Sequence, residues 1–297
     1  MFDARNVSEK SGGGLVFGLL TIALVSALFF GVLFFPSLTG PGKSEVPGMA
    51  ETPASTSLAA AFDDQPTLDY IQKLRATFPS AATDLERTLE RASARGADKV
   101  ELGLLVLQAG HQEIAGSIDR LAKADVRYFN QILDLSVEGL NDLSSSGAPY
   151  CKGSDLITFA SLSDQQLYAA AFDRVGHGAG LYNYGLEMNG VILDAIRAAR
   201  ANPRNYSRLT SADERAAQTL AFSLMTDPQI MKLLTLEGTS RAQMDEAMRD
   251  VNFCDLGVSI IRKVDALPED TKGRLWGELW RQVDRDGIER MFYRYAY

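Results

Sequence analysis

Residues 100–121, VELGLLVLQAGHQEIAGSIDRL, decide how this chain folds. Val100, Leu104, Leu107, His111, Ile114, Ile118 and Leu121 recur at alternating steps of four and three. That spacing keeps one side of an α-helix apolar along its length, as in a heptad seam. Gly103, Gly110 and Ser117 fall seven apart beside it. A ridge of such small residues lets a neighbouring helix come close. A second apolar set follows a break near Ala124-Asp125: Val126, Phe129, Leu133, Leu140 and Leu143. Together the two sets predict an antiparallel helical hairpin ending in the turn-rich loop Ser144 to Ser154.

Helical patterning extends outward in both directions. Upstream, Leu68, Ile71, Leu74 and Phe78 line one face of a short helix closed by Pro79, and Ser80 to Arg95 forms a second, stopped by Gly96. Downstream, Ser163 with Gln166 makes a capping box before Leu167, Ala171 and Val175. The glycine-rich run Gly176 to Gly180 interrupts that helix, which resumes from Leu181 to Ala201 ahead of Pro203. Thr210 with Asp213 opens another helix, and Asp227-Pro228 opens the next with proline at its first position, to close at Gly238. Ser240 with Gln243 begins a long helix to Ala266, with Ala247, Val251, Cys254, Val258 and Ile261 on its inner face. The last helix begins near Pro268 and carries Leu275, Trp276, Leu279, Trp280 and Val283. Neither an alternating strand pattern nor a repeat of fixed period emerges. The expected fold class is all-α, with about 8–10 helices.

The N-terminal end has a different character. Gly14 to Phe35 is a run of 22 residues without a charge. As a helix it reaches roughly 33 Å, enough to cross the hydrocarbon core of a bilayer. It is longer than the apolar region of a cleaved signal peptide and ends in Phe34-Phe35-Pro36, so an uncleaved signal anchor is expected. Arg5 and Lys10 precede it, whereas Lys43 is the sole basic residue for a long way beyond. The positive-inside rule then leaves the N-terminus in the cytoplasm and translocates the bulk of the chain. Residues 36–66 are rich in Pro, Gly, Ser, Thr and Ala and bury too little to offset the entropy of ordering. The expected organisation is a leader (1–13), a transmembrane segment (14–35), a flexible linker (36–66) and a helical domain (67–297).

A net charge of −8 and a pI near 5.0, with acidic and basic residues interspersed, argue against nucleic acid as a partner. Arginine outnumbers lysine and alanine is abundant, which fits a GC-rich bacterial genome. The expected setting is then the inner membrane, with the domain in the periplasm. The two cysteines, Cys151 and Cys254, belong to no C-x-x-C pair and have no zinc-like ligand spacing with His111 or His177. In an oxidising compartment two such cysteines pair, and a Cys151–Cys254 disulfide is expected. No metal or cofactor is expected.

Candidate chemistry is sparse. An H-E-x-x-H-like site at His111 would need a second histidine at Ala115, so His111 reads as structural. His177, flanked by glycines, could expose an imidazole at a helix end, with Glu187, Tyr182 or Tyr184 as partner for general acid–base work. Arg197, Arg200, Arg204 and Arg208 would form a basic stripe on an unbroken helix, but Pro203 points to a solvated charged face. Trp276, Trp280 and the tail residues Phe292, Tyr293, Tyr295 and Tyr297 suit an interface. Nucleophile-elbow, phosphate-loop and zinc-protease motifs are absent. The expectation is a membrane-anchored domain that engages a protein partner in the envelope. The alternative is a tethered hydrolase using His177 with Glu187 or a nearby tyrosine.

Overall fold

The computed structural model describes residues 62–146, 151–153, 180–234 and 241–286, and these are all-helical apart from one isolated antiparallel bridge, Lys152 with Asn252. The apolar run 14–35, most of the linker and the tail residues Phe292, Tyr293, Tyr295 and Tyr297 lie outside them. Among the described residues no helix is long and apolar enough to cross a membrane.

The described helical packing includes residues ahead of position 67. Phe62 is already core, and Asp64 caps helix α1 (Gln65–Thr77) by accepting from the Thr67 amide at 2.9 Å. Phe78, outside the helical region at φ −138° and ψ 78°, ends α1, and Pro79 opens α2 (Pro79–Ala94). Gly96 stops α2 at φ 84°, with Ala97 N–H donating to the Ala92 carbonyl and Gly96 N–H to that of Ser93. That pair of bonds defines the Schellman stop, which requires a left-handed residue at Gly96.

Helix α3 (Lys99–Ala115) carries the seam, but its buried strip is rotated from the one the heptad spacing predicts. Leu102, Gly103, Val106, Leu107, Gly110 and Ile114 are buried, while Val100 and Leu104 are half-exposed. The glycine ridge is the reason. A Cβ on Gly103 would stand 3.1 Å from the Tyr182 ring, and one on Gly110 only 1.4 Å from the Tyr70 hydroxyl oxygen. The small residues admit tyrosine rings from other helices of the same domain, so the ridge itself faces the core. The seam is also not continuous. A turn at Gly116-Ser117 follows α3, and Ile118–Leu121 forms a separate single turn, α4. His111 sits on α3, its side chain outside the described set.

Asp125 caps α5 (Val126–Ser145), whose buried face includes the expected Phe129, Leu133, Leu140 and Leu143. Helix α6 (Gly180–Ala201) is the hub and packs against α1, α3, α4 and α5. Leu186, Met188, Ile192, Leu193, Ala195, Ile196 and Ala199 are at most 1% exposed, so α6 buries a broad apolar face and leaves a narrower strip with Glu187 and Arg197 to solvent.

The C-terminal helices join this core through α4 and α5. Thr210 and Asp213 open α7 (Ser211–Met225) as expected, bonded reciprocally in a capping box. Asp227-Pro228 opens α8 (Pro228–Leu234). The long helix expected over 240–266 is two helices, α9 (Arg241–Arg249) and α10 (Phe253–Asp265). Asn252 makes the break: its side-chain oxygen accepts from the amides of Cys254 and Asp255, starting a fresh N-terminus. Helix α10 lies along α5, and α11 (Glu269–Asp286) packs on α4 and α5.

Candidate functional site

Glu187 occupies an exposed position of α6. Partial desolvation and the like charge of Glu138 raise its pKa, against the pull of Lys73. Tyr182 and Tyr184, the neighbouring candidates, are buried and engaged in the interior. The Tyr182 hydroxyl lies 3.1 Å from Thr67 Oγ1. Tyr184 donates to Ser136 Oγ at 3.2 Å, which in turn donates to the Ile132 carbonyl at 2.7 Å. Burial pushes both phenols up to about 12. Neither is poised as a proton carrier near neutrality. His177 lies outside the described residues, so no catalytic pair with Glu187 can be placed.

The tyrosines instead define the packing of the hub. Tyr184 lies against Gly139 of α5 as Tyr182 does against Gly103 of α3 and Tyr70 against Gly110, with a Gly139 Cβ standing 2.4 Å from the Tyr184 ring. Tyr206 rests on Gly273 and Gly277 of α11 and donates its hydroxyl to the Ala124 carbonyl at 3.0 Å. Each ring fills the groove that a missing side chain leaves, which is how close packing is reached without voids.

Trp276 and Trp280, expected as interface residues, are internal, at 0% and 6% exposed. Trp276 donates its indole N–H to the Leu121 carbonyl at 2.7 Å and packs against Phe129 and Trp280 at centroid distances of 5.3 and 5.4 Å. Burial with a satisfied N–H makes Trp276 a core anchor. The described residues that are large, apolar and exposed lie elsewhere: Phe222 on α7, 67% exposed, and Met231 on α8, 45% exposed. Sequence patterning did not single them out.

The arginine series does not form a stripe. Arg197 pairs with Asp194 at 2.7 Å, and Arg200 donates to the Thr77 carbonyl and stacks over the Phe78 ring. Arg204, beyond the end of α6, is held by Asp125 at 2.7 Å and by its own amide on the Lys123 carbonyl. With Arg281 it borders a surface cleft of about 230 Å³ between α4, the loop after α6 and α11, lined also by Asp119, Lys123, Tyr206 and Asp284. Arg281 is itself engaged by Glu278 and the Tyr206 carbonyl. Both guanidinium groups are therefore already held by the protein.

Asp213 is the most strongly perturbed carboxylate among the described residues. It is 1% exposed and receives two bonds from Arg274 at 2.8 and 2.9 Å, one from the Thr271 hydroxyl at 2.7 Å, and others from Thr210. The Arg274 fork, aided by the threonines, holds its pKa well below the usual carboxylate range. This cluster fastens the start of α7 to α11. No group of three or more His, Cys, Asp or Glu side chains arranged to hold a metal occurs among the described residues.

Cys151 and Cys254 form the expected disulfide, with their Cα atoms 5.0 Å apart across a separation of 103 residues. Both are buried, at 2% and 1% exposed. The flanking backbone reinforces the join. Gly153 N–H donates to the Val251 carbonyl at 3.0 Å, and a Cβ on Gly153 would lie 1.8 Å from the Met248 carbonyl oxygen. Asn252 also donates to Ser144 Oγ, which donates to Asp255. Segment 151–153 is thus sewn to the start of α10.

No protein-family model, curated protein or solved structure matches this chain.

Proposed function

We propose that the chain is a single-pass membrane protein that holds its α-helical domain on the extracytoplasmic side, the periplasm in a bacterium, and there engages a protein partner of the envelope. The observation that carries this reading is the buried Cys151–Cys254 disulfide. Structural disulfides persist in oxidising compartments and are rare in the cytosol. The uncharged run of residues 14–35 and the basic residues ahead of it provide the route to that compartment. Phe222 and Met231 supply solvent-facing apolar area on α7 and α8.

Protease added to intact spheroplasts tests the topology. The helical domain is expected to be digested without breaching the membrane, and protection until lysis would refute the reading. Photo-crosslinking from position 222 or 231 tests the interaction. A discrete crosslinked species is expected from these positions and none from Glu90, an exposed residue on α2.

A further inference from the structure

The burial of both half-cystines constrains when their bond can form. An incoming disulfide must approach a cysteine sulfur in line, and in the folded domain Cys151 and Cys254 are only 2% and 1% exposed. Oxidation must therefore act on a chain in which α10 has not yet docked. The chain holds two cysteines, so a single intramolecular pairing is open to it. Such a chain requires an oxidant but no isomerase.

We infer that this protein is a client of a thiol–disulfide oxidant of the extracytoplasmic space, which captures Cys151 first and is released by Cys254 before α10 closes over the bond. The inference rests on the extracytoplasmic reading above. The order follows from the anchor: a chain held by residues 14–35 delivers Cys151 to the far side 103 residues ahead of Cys254. In the first step the Cys151 thiolate attacks the oxidant's disulfide, forming a mixed disulfide and freeing one oxidant thiolate. In the second the Cys254 thiolate attacks the Cys151 sulfur, forming the internal bond and expelling the oxidant's other sulfur as thiolate. Two protein thiols are oxidised, two electrons reduce the oxidant to a dithiol, and the two protons lost by the protein balance it.

Two measurements on the full chain test this. In the first, oxidised protein in detergent is exposed to dithiothreitol with and without unfolding urea, and released thiols are tagged with a maleimide of known mass. Reduction in the absence of urea is expected to be at least about 1,000-fold slower than in the unfolded chain, because attack must await opening. Comparable rates would overturn the premise that the bond is sealed by folding. In the second, cells making the Cys254→Ser or the Cys151→Ser chain are quenched with acid and N-ethylmaleimide. Cys254→Ser is expected to accumulate a dithiothreitol-sensitive adduct between Cys151 and a cysteine of a C-x-x-C oxidant, read by mass spectrometry, and Cys151→Ser much less. This adduct forms before folding, so it does not depend on the variant reaching the native state. Equal adducts would refute the order, and none in either strain would refute the oxidant step. Protease protection of the domain in the same cells would instead remove the topological reading on which both rest.

Discussion

The hub around α6 and the outer layer of α7 to α9 are built on different physics. The hub is apolar and shape-matched: Tyr70, Tyr182 and Tyr184 each seat on a glycine of a facing helix, and aliphatic side chains fill the remainder. The outer layer touches the rest chiefly through α10, and its polar fastening is the cluster of Asp213 with Arg274, Thr271 and Thr210. It also carries the exposed Phe222 and Met231. One region depends on area removed from water and on volume, the other on a charged clasp. The two should therefore respond differently to mutation and to pH.

The largest effect is expected at the aromatic anchor where α11 meets the hub. Trp276→Ala should cost about 3–5 kcal/mol in urea unfolding, since it opens a large cavity and strips the Leu121 carbonyl of its donor. A loss below about 1 kcal/mol would show that α11 is not part of the cooperative core.

The rotated strip on α3 gives the next test. Ile114→Ala, at a position 5% exposed, should cost about 2–5 kcal/mol, and Leu104→Ala at its half-exposed position less than half as much. Equal losses would restore the heptad seam as the buried face and break the link between the glycine ridge and the tyrosines.

The clasp should separate the two regions by pH. Asp213→Asn leaves the Arg274 charge unpaired and should cost about 2–3 kcal/mol at pH 7, below the range for a fully buried pair because Arg274 is 21% exposed. The folded-state pKa of Asp213 is depressed, so its contribution is complete above the unfolded value near 4 and is lost as pH falls through the folded one. Wild-type stability should thus drop faster than that of Asp213→Asn below pH ~4. The hub has the opposite sign. Tyr184 is raised to about 12, so the stability it links is present below the unfolded value near 10 and fades as pH climbs toward 12. A Tyr184→Phe variant, measured by thermal melting, should lose less stability across that alkaline interval.

The smallest effect is expected at Phe222, where Phe222→Ser should change stability by no more than about 0.5 kcal/mol because the ring is 67% exposed. If that change also leaves partner crosslinking from position 231 intact, Phe222 has no part in an interface.

Local chemistry was legible in the sequence wherever a few neighbouring residues suffice. Pro79, Gly96, the Thr210–Asp213 box and Asp227-Pro228 each set a helix boundary through bonds made within one turn. The apolar period fixed the all-helical class, and two cysteines without a metal pattern indicated their own pairing. The candidate site was far less legible. Tyr182 and Tyr184 read as neighbours of a catalytic histidine, while their phenols are committed to Thr67 and Ser136, partners about 115 and 48 residues away in sequence. Likewise, spacing could not show that Trp276 would be enclosed by α4 and α5.

What the sequence determined by itself was therefore the helices, most of their ends and the existence of the staple, because these follow from torsional preference, capping and covalent chemistry. The tertiary structure alone decided which face of α3 turns inward, and that Trp276 packs inside while Phe222 remains in solvent. A helix can bury either of two adjoining strips at similar cost. The choice falls to the volume of the side chains opposite, here the tyrosine rings that fit where Gly103 and Gly110 leave room.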